Sequence, residues 1–454
     1  MAVDLIVKNG TIVSPAASRR GHLLIQDGRV REISVRDELP EATRTIDAAA
    51  LHVLPGLIDP HVHFRVPGLE YKEDFSTGSQ AAAAGGVTTV LDMPNVIPLT
   101  STVHGFRTKV AAIQGTSYVD YGLYAVIVEG SSREIVPLAE AGVVGYKVFL
   151  GETVGNIPAP QDGEILDAWR IVAETGLRCG VHAEDNGIIH YIRKQLLDAG
   201  RTDPLAHLES RPSVAEAEAI SRAILFAREA KSRLMIFHMS AAEGVELLRR
   251  GRGDGVDVMG ETGPNYLLME GEDMVRMRLG SLLKINPPVR SREHADALWR
   301  GLLDGTIEVL GTDHSPHTRE EKMFNDPMGD IWKAAAGWPG VETNVPLMLT
   351  QVNAGRLTLN HYVKLQAEGP ARAWNLWPRK GHLGRGADAD LTIVDMRKEG
   401  TIDQERLHSK NRLTPFHGFR VKGLPVYTIV RGQVVMEGGE IVGKPQGQLQ
   451  TPVV

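Results

Sequence analysis

Two histidines one residue apart, His61 and His63 in Asp59-Pro60-His61-Val62-His63-Phe64-Arg65, could bind metal. On a β-strand, residues i and i+2 share a face, so both imidazoles can reach one ion. Similar chemistry recurs along the chain. Lys147 sits in Gly145-Tyr146-Lys147-Val148-Phe149, His182 follows Val181, His238 follows Phe237, and Asp313 stands in Gly311-Thr312-Asp313-His314-Ser315. Each lies in or just after an apolar run of strand length. Singly, each has a plain structural explanation: a lone histidine is more often a packed side chain than a ligand, and a lone lysine is usually salt-bridged. Five strand ends carrying such residues are hard to explain as independent coincidences.

The elements that must position them follow an alternating pattern. Apolar runs occur near Gly56–Ile58, Val87–Leu91, Tyr121–Val128, Val143–Leu150, Leu177–Val181, Leu234–Phe237, Val256–Met259 and Ile307–Leu310. Between them lie segments of helical periodicity such as Val214–Ala230 and Arg292–Leu303. Eight βα units predict a (β/α)8 TIM barrel of α/β class, with all five strand ends on its C-terminal face, where such enzymes place their sites. Residues 151–164 and 313–345 read as long loops on that face. The chain ends differ. Asn9-Gly10 and Asp27-Gly28 mark hairpins near the start, and Arg431-Gly432 and Gly438-Gly439 punctuate a meander near the end. These segments predict a small β-sandwich built from both termini, with residues 1–55 and 381–454 flanking a 56–380 barrel.

Composition narrows the partners. A net charge of -6 over 454 residues argues against a nucleic-acid or anionic-membrane surface. A single cysteine, Cys179, excludes an internal disulfide and fits a reducing cytoplasm. There is no apolar run of membrane-spanning length and no signal-peptide pattern at the start, so the expectation is a soluble cytoplasmic protein.

The motifs resemble the amidohydrolase superfamily, in particular its cyclic amidohydrolases: dihydroorotase, hydantoinase (dihydropyrimidinase) and allantoinase. The resemblance runs from Gly56-Leu57-Ile58-Asp59-Pro60-His61-Val62-His63 through Ala84-Gly85-Gly86-Val87-Thr88-Thr89, Val181-His182-Ala183-Glu184, His238-Met239-Ser240, Gly260-Glu261-Thr262 and Gly311-Thr312-Asp313-His314-Ser315 to Gly386-Ala387-Asp388-Ala389-Asp390-Leu391. It implies two divalent metal ions: His61, His63 and Asp313 on one, His182 and His238 on the other. Lys147 would carry a CO2-derived carbamate bridging both. Such a site acidifies a water into the nucleophile and polarises the amide carbonyl, while Asp313 moves the proton to the leaving nitrogen. Imidazole-rich ligands with oxygen donors favour zinc, with manganese or cobalt also suitable. A homo-oligomer, dimer or tetramer, is implied as well.

Substrate choice divides the motifs. Arg65 matches the dihydroorotase arginine that pairs with a substrate carboxylate, for which a guanidinium fork is suited. Asn95, Asn286 and His317 match substrate-contacting positions of the same enzymes. Val96 and Gly263-Pro264-Asn265-Tyr266 depart from dihydroorotases, and Asp330-Ile331-Trp332-Lys333-Ala334, Gly340-Val341-Glu342-Thr343 and Thr414-Pro415-Phe416 look closer to hydantoinases and allantoinases. D-hydantoinases carry a tyrosine shortly after the carboxylated lysine, a region where this chain has Gly151. The expectation is a cyclic-amide hydrolase acting on L-dihydroorotate, with hydantoinase, dihydropyrimidinase or allantoinase as the alternative. A mononuclear deaminase would lack Lys147, and a non-catalytic scaffold would have lost ligands.

Overall fold

The computed structural model describes residues 3–151, 157 and 159–453. The start of the chain builds five strands, β1 (Val3–Val13), β2 (Ser18–Gln26), β3 (Arg29–Ser34), β4 (Ala42–Asp47) and β5 (His52–Pro55). The eight barrel strands follow as β6 (Leu57–Val62), β7 (Val87–Asp92), β8 (Asp120–Val126), β9 (Gly145–Phe149), β10 (Arg178–His182), β11 (Arg233–Ile236), β12 (Val258–Thr262) and β13 (Val309–Leu310). Four more, β14 (Leu391–Thr401), β15 (Arg420–Val430), β16 (Gln433–Glu437) and β17 (Glu440–Ile441), complete the set. All eight expected barrel strands are present, paired in chain order, and each of these pairings is parallel. A bridge from Val62 to His314 connects the first strand to the segment after the last.

β6 to β10 are buried along their whole length, as a sheet covered on both faces must be. Part of the barrel's filling is aromatic. Phe237 stacks on Trp374 with ring centroids 5.7 Å apart, and Tyr124 meets Trp374 edge-on at 4.7 Å. Two strand glycines make room for them. A Cβ on Gly180 would lie 1.9 Å from the Phe237 ring, and one on Gly145 would lie 2.6 Å from Trp374.

The sandwich is one nine-stranded hydrogen-bonded sheet from both ends of the chain, eight strands in one path with β4 branching from β1. β1 holds it together: its first half pairs with β4 and its second with β5, which in turn pairs with β14. Its apolar core joins Leu5, Val7, Leu23 and Ile25 to Leu391, Ile393 and Ile429. Where sandwich meets barrel, buried Lys380 lies 2.7 Å from Asp120, 2.6 Å from Asp390 and 3.2 Å from Asp388. Arg431 also binds Asp120. These three carboxylates have the spacing of a cation site, and the Lys380 ammonium occupies its centre. Residues 447–450 then run beside β8, where Gly447 donates to Ser117 and Gln450 to Tyr121.

The loop expected over 313–345 ends earlier, because a helix begins at Val341 and runs to Asn353. Buried His314 explains that start: its Nδ1 accepts from the amides of Gly340 and Val341 at 3.1 and 3.2 Å, satisfying two donors the helix leaves open. The loop expected over 151–164 gives way to a helix at Asp162, and its residues 152–156 and 158 lie outside the described residues.

Candidate active site

At the C-terminal ends of the strands, one small cavity of about 30 Å³ is lined by His61, His63, Arg65, Asn95, Lys147, His182, His238, Asn286 and Asp313, together with Phe149, Ile285, Ser315 and Ala336. Of the residues singled out by sequence, only His317 is elsewhere. It lines the wider cavity beside this one, with Nδ1 3.3 Å from Lys72 and 3.2 Å from Glu321.

The strand ends turn sharply to aim these groups. Arg65, His238 and Asp313 have φ of 64°, 38° and 48°, a left-handed backbone that non-glycine residues rarely adopt and that clusters at functional sites. Buried Asp92 holds the turn after His63: it accepts from the Phe64 amide at 2.6 Å and pairs with buried Lys109.

Two groups of donors result. Asp313 Oδ1 lies 3.3 Å from His61 Nε2 and 3.2 Å from His63 Nε2. His182 Nδ1 and His238 Nε2 are 3.1 Å apart. Between the groups, His61 and His238 have ring centroids 5.2 Å apart. Lys147 Nζ sits over the Phe237 ring at 4.1 Å and the Phe149 ring at 5.1 Å.

Supporting carboxylates fix the rings, and these the sequence reading did not assign. Glu261 Oε1 lies 2.8 Å from His61 Nδ1, leaving Nε2 to face Asp313. Glu184 Oε2 lies 2.8 Å from His182 Nε2, leaving Nδ1 to face His238. Asp59 accepts from Thr312 and from the His61 amide, tying β6 to the segment that carries Asp313. Alternation could have found two of them: Asp59 is two residues before His61 and Glu184 two after His182, on the same faces as those histidines. Glu261, 200 residues from its partner, had no such cue.

Burial dominates the electrostatics. It lowers the His61 imidazole to about 3 and holds those of His63, His182 and His238 below their ordinary value. It brings the Lys147 amine down to about 7, raises the Asp59 carboxyl to about 7, and pushes Glu261 well above the carboxylate range. Neutral imidazoles are the form that binds metal. His63 Nδ1, His238 Nδ1 and Glu184 Oε1 are buried without a hydrogen-bond partner among the described residues. The donor set therefore fits divalent cations: positive charge placed here would offset the cost of burying the carboxylates and use the imidazole lone pairs.

Fold and site together define a barrel hydrolase of the metal-binding kind. The chain belongs to the amidohydrolase family, which residues 52–435 match, and within it to the cyclic amidohydrolases. It is 40% identical to an L-hydantoinase of Paenarthrobacter aurescens over 97% of this chain and 96% of that one. An allantoinase of Solibacter usitatus is 38% identical over 99% and 97% of the two chains, and a dihydroorotase of Methanothermobacter thermautotrophicus 37% identical over 92% and 91%. The solved structure of the L-hydantoinase (dihydropyrimidinase) from Arthrobacter aurescens superposes with a TM-score of 0.94 at 39% identity, covering 97% of this chain and 98% of that one.

Proposed function

We propose that this enzyme opens a five-membered cyclic ureide, a 5-substituted hydantoin or allantoin, by hydrolysing one ring amide. The observation that carries the proposal is the convergence of His61, His63, Lys147, His182, His238 and Asp313 on one buried cavity beside the amide-bearing side chains Asn95 and Asn286. The near-full-length likeness to an L-hydantoinase and an allantoinase supports this ring over the dihydroorotate that Arg65 first pointed to.

In this reading His61, His63 and Asp313 would hold one divalent ion, zinc by ligand type, and His182 and His238 the other. Lys147 would carry the carbamate. A neutral amine is what attacks CO2, releasing its proton as the N–C bond forms, and burial has already brought this amine near neutrality. When bound, the ions supply an acidified water and a polarised carbonyl. Asp313, whose Oδ1 also accepts from Ser315 at 2.9 Å, is placed to take the proton of the attacking water and hand it to the departing ring nitrogen. Asn95 and Asn286 each present a buried carboxamide oxygen without a partner among the described residues, suited to ring or ureido N–H groups.

Dihydroorotate remains the second reading, favoured by one observation: the Arg65 guanidinium lines the same cavity, with its Nε buried and without a partner among the described residues. Ring opening by metal-loaded protein on 5-substituted hydantoin, allantoin, dihydrouracil and L-dihydroorotate separates the two. Turnover of hydantoin or allantoin without dihydroorotate is expected. Preferential turnover of dihydroorotate, abolished in Arg65→Ala with metal retained, would reverse the assignment. A cytoplasmic homo-oligomer, dimer or tetramer, belongs to the same proposal, and light scattering on purified protein gives the copy number.

A further inference from the structure

The connection between β14 and β15, residues 402–419, leaves the sandwich and returns to it. Its ends close on each other: Ile402 donates to the Phe419 carbonyl at 2.9 Å and accepts from the Gly418 amide at 2.8 Å. Buried Phe416 packs edge-on against Phe419, with ring centroids 5.4 Å apart, and steadies that base. The middle of the connection is a strap that reaches the active face of the barrel, where it binds the loop after β6 and the segment after β13.

Three consecutive carbonyls of the first loop are taken by two consecutive side chains of the strap. Lys410 Nζ donates to the Glu70 carbonyl at 2.6 Å, and Asn411 Nδ2 donates to those of Tyr71 and Lys72 at 3.2 and 2.6 Å. An asparagine side chain has two N–H donors, and both are used here. The Lys410 amide adds a bond to Glu73 at 3.1 Å, and the Lys410 ammonium pairs with Asp74. Across the cavity mouth, Arg319 donates to Glu405 of the strap at 2.7 Å.

The loop held in this way walls both cavities, with Arg65 lining the inner one and Lys72 the wider one beside it. Successive turns join the two residues: Leu69 donates to the Arg65 carbonyl at 3.1 Å, and Lys72 to the Leu69 carbonyl at 2.9 Å. Lys72 continues to Glu321 at 2.8 Å and His317 at 3.3 Å. His61, Lys147 and His182, in contrast, stand within the barrel strands.

We propose that Asn411, with Lys410 beside it, is a positioning residue for ring opening: it fixes the wall formed by Arg65 and Lys72, and so sets substrate affinity and not the chemical step. The inference rests on the ring-opening reading above and adds a determinant carried by the β14–β15 strap. Slack at the three carbonyls passes along the turns to both lining residues, while the strand-borne groups keep their places. An interaction felt equally by bound substrate and transition state changes KM and leaves kcat.

Asn411→Asp provides the test, because it keeps the side-chain volume and removes both donors. With metal-loaded protein and 5-benzylhydantoin, its KM should rise about fivefold or more while kcat stays within about twofold of the wild type. The ions bound per chain should not change. Asn411→Gln, which keeps both donors on a longer arm, should recover part of the lost affinity. Hydrogen exchange read by mass spectrometry should quicken over residues 66–74 in Asn411→Asp and match the wild type over the helix at 341–353. Lys410→Ser, which reaches neither the Glu70 carbonyl nor Asp74, should show the same split and stands in if Asn411→Asp fails to fold. An unchanged KM would overturn the positioning role, as would a loss confined to kcat or one that follows lost metal. A raised KM with unaltered exchange over 66–74 would overturn the route through Arg65 and Lys72. A wild type that opens no ring would sink the ring-opening reading, and the strap would then stand or fall on the exchange alone.

Discussion

His182 and His238 face each other across 3.1 Å, Nδ1 to Nε2, each buried and held neutral. One proton could sit between them, but the outer nitrogen of His182 is committed to Glu184 and that of His238 has no partner among the described residues. The pair is better matched to a cation than to itself. Metal analysis of purified protein should therefore return about two divalent ions per chain, and His238→Ala should lose about one of them. Its kcat should fall at least a hundredfold, the loss expected when several kcal/mol of transition-state stabilisation is removed. Full metal content in His238→Ala would refute the assignment.

Lys147 makes a separate prediction. Intact mass measured at mildly alkaline pH should exceed the sequence mass by one CO2, and the excess should disappear on acidification. Lys147→Met should never show it and should bind fewer ions than the wild type. A wild-type mass without the adduct, in protein carrying both ions, would leave the lysine a simple amine.

The junction of the two domains depends on one ammonium. Lys380→Met would leave Asp120, Asp388 and Asp390 buried together with Arg431 beside Asp120 and a half-exposed Arg29 beside Asp388. Removing one partner of a buried ion pair costs about 3–5 kcal/mol. Urea unfolding should show a loss of that order, and a loss below ~1 kcal/mol would mean that water reaches the cluster.

Lys284 links stability to pH. Burial, with Arg211 and Arg193 nearby, lowers its amine from 10.5 to about 7. Between those two values the unfolded chain holds a proton that the folded chain has released, so unfolding free energy rises with pH across the window. From pH 7 to pH 9 the wild type should gain up to about 2 kcal/mol relative to Lys284→Met. Parallel pH profiles for the two proteins would show that the amine keeps its proton in the folded state.

The barrel and the convergence of the candidate ligands were legible because each chemical residue closes an apolar run, so strand and cavity lining are read from the same few residues. Both hairpin-rich ends were legible for a similar reason, their Asn-Gly, Asp-Gly and Gly-Gly punctuation. Long-range partnerships were not legible. Nothing local in Gly260-Glu261-Thr262 points to His61, and nothing near Lys380 announces three carboxylates drawn from β8 and the approach to β14. The start of the helix at Val341 was hidden for the same reason, since its cap is His314, 26 and 27 residues from the amides it accepts from. His317 matched a motif, but its fold neighbours Lys72 and Glu321 hold it in the wider cavity beside the other candidates.

The two-ended sandwich also bears on how the molecule assembles. β5 is flanked by β1 on one side and β14 on the other, so one edge of β5 stays open until residues beyond 390 have been made. The Lys380 knot likewise waits for Asp388 and Asp390. Contacts of such sequence separation slow folding and expose strand edges while they wait. During synthesis the barrel strands emerge before β14, so the most aggregation-prone interval falls after β13 has formed and before β14 arrives to close β5.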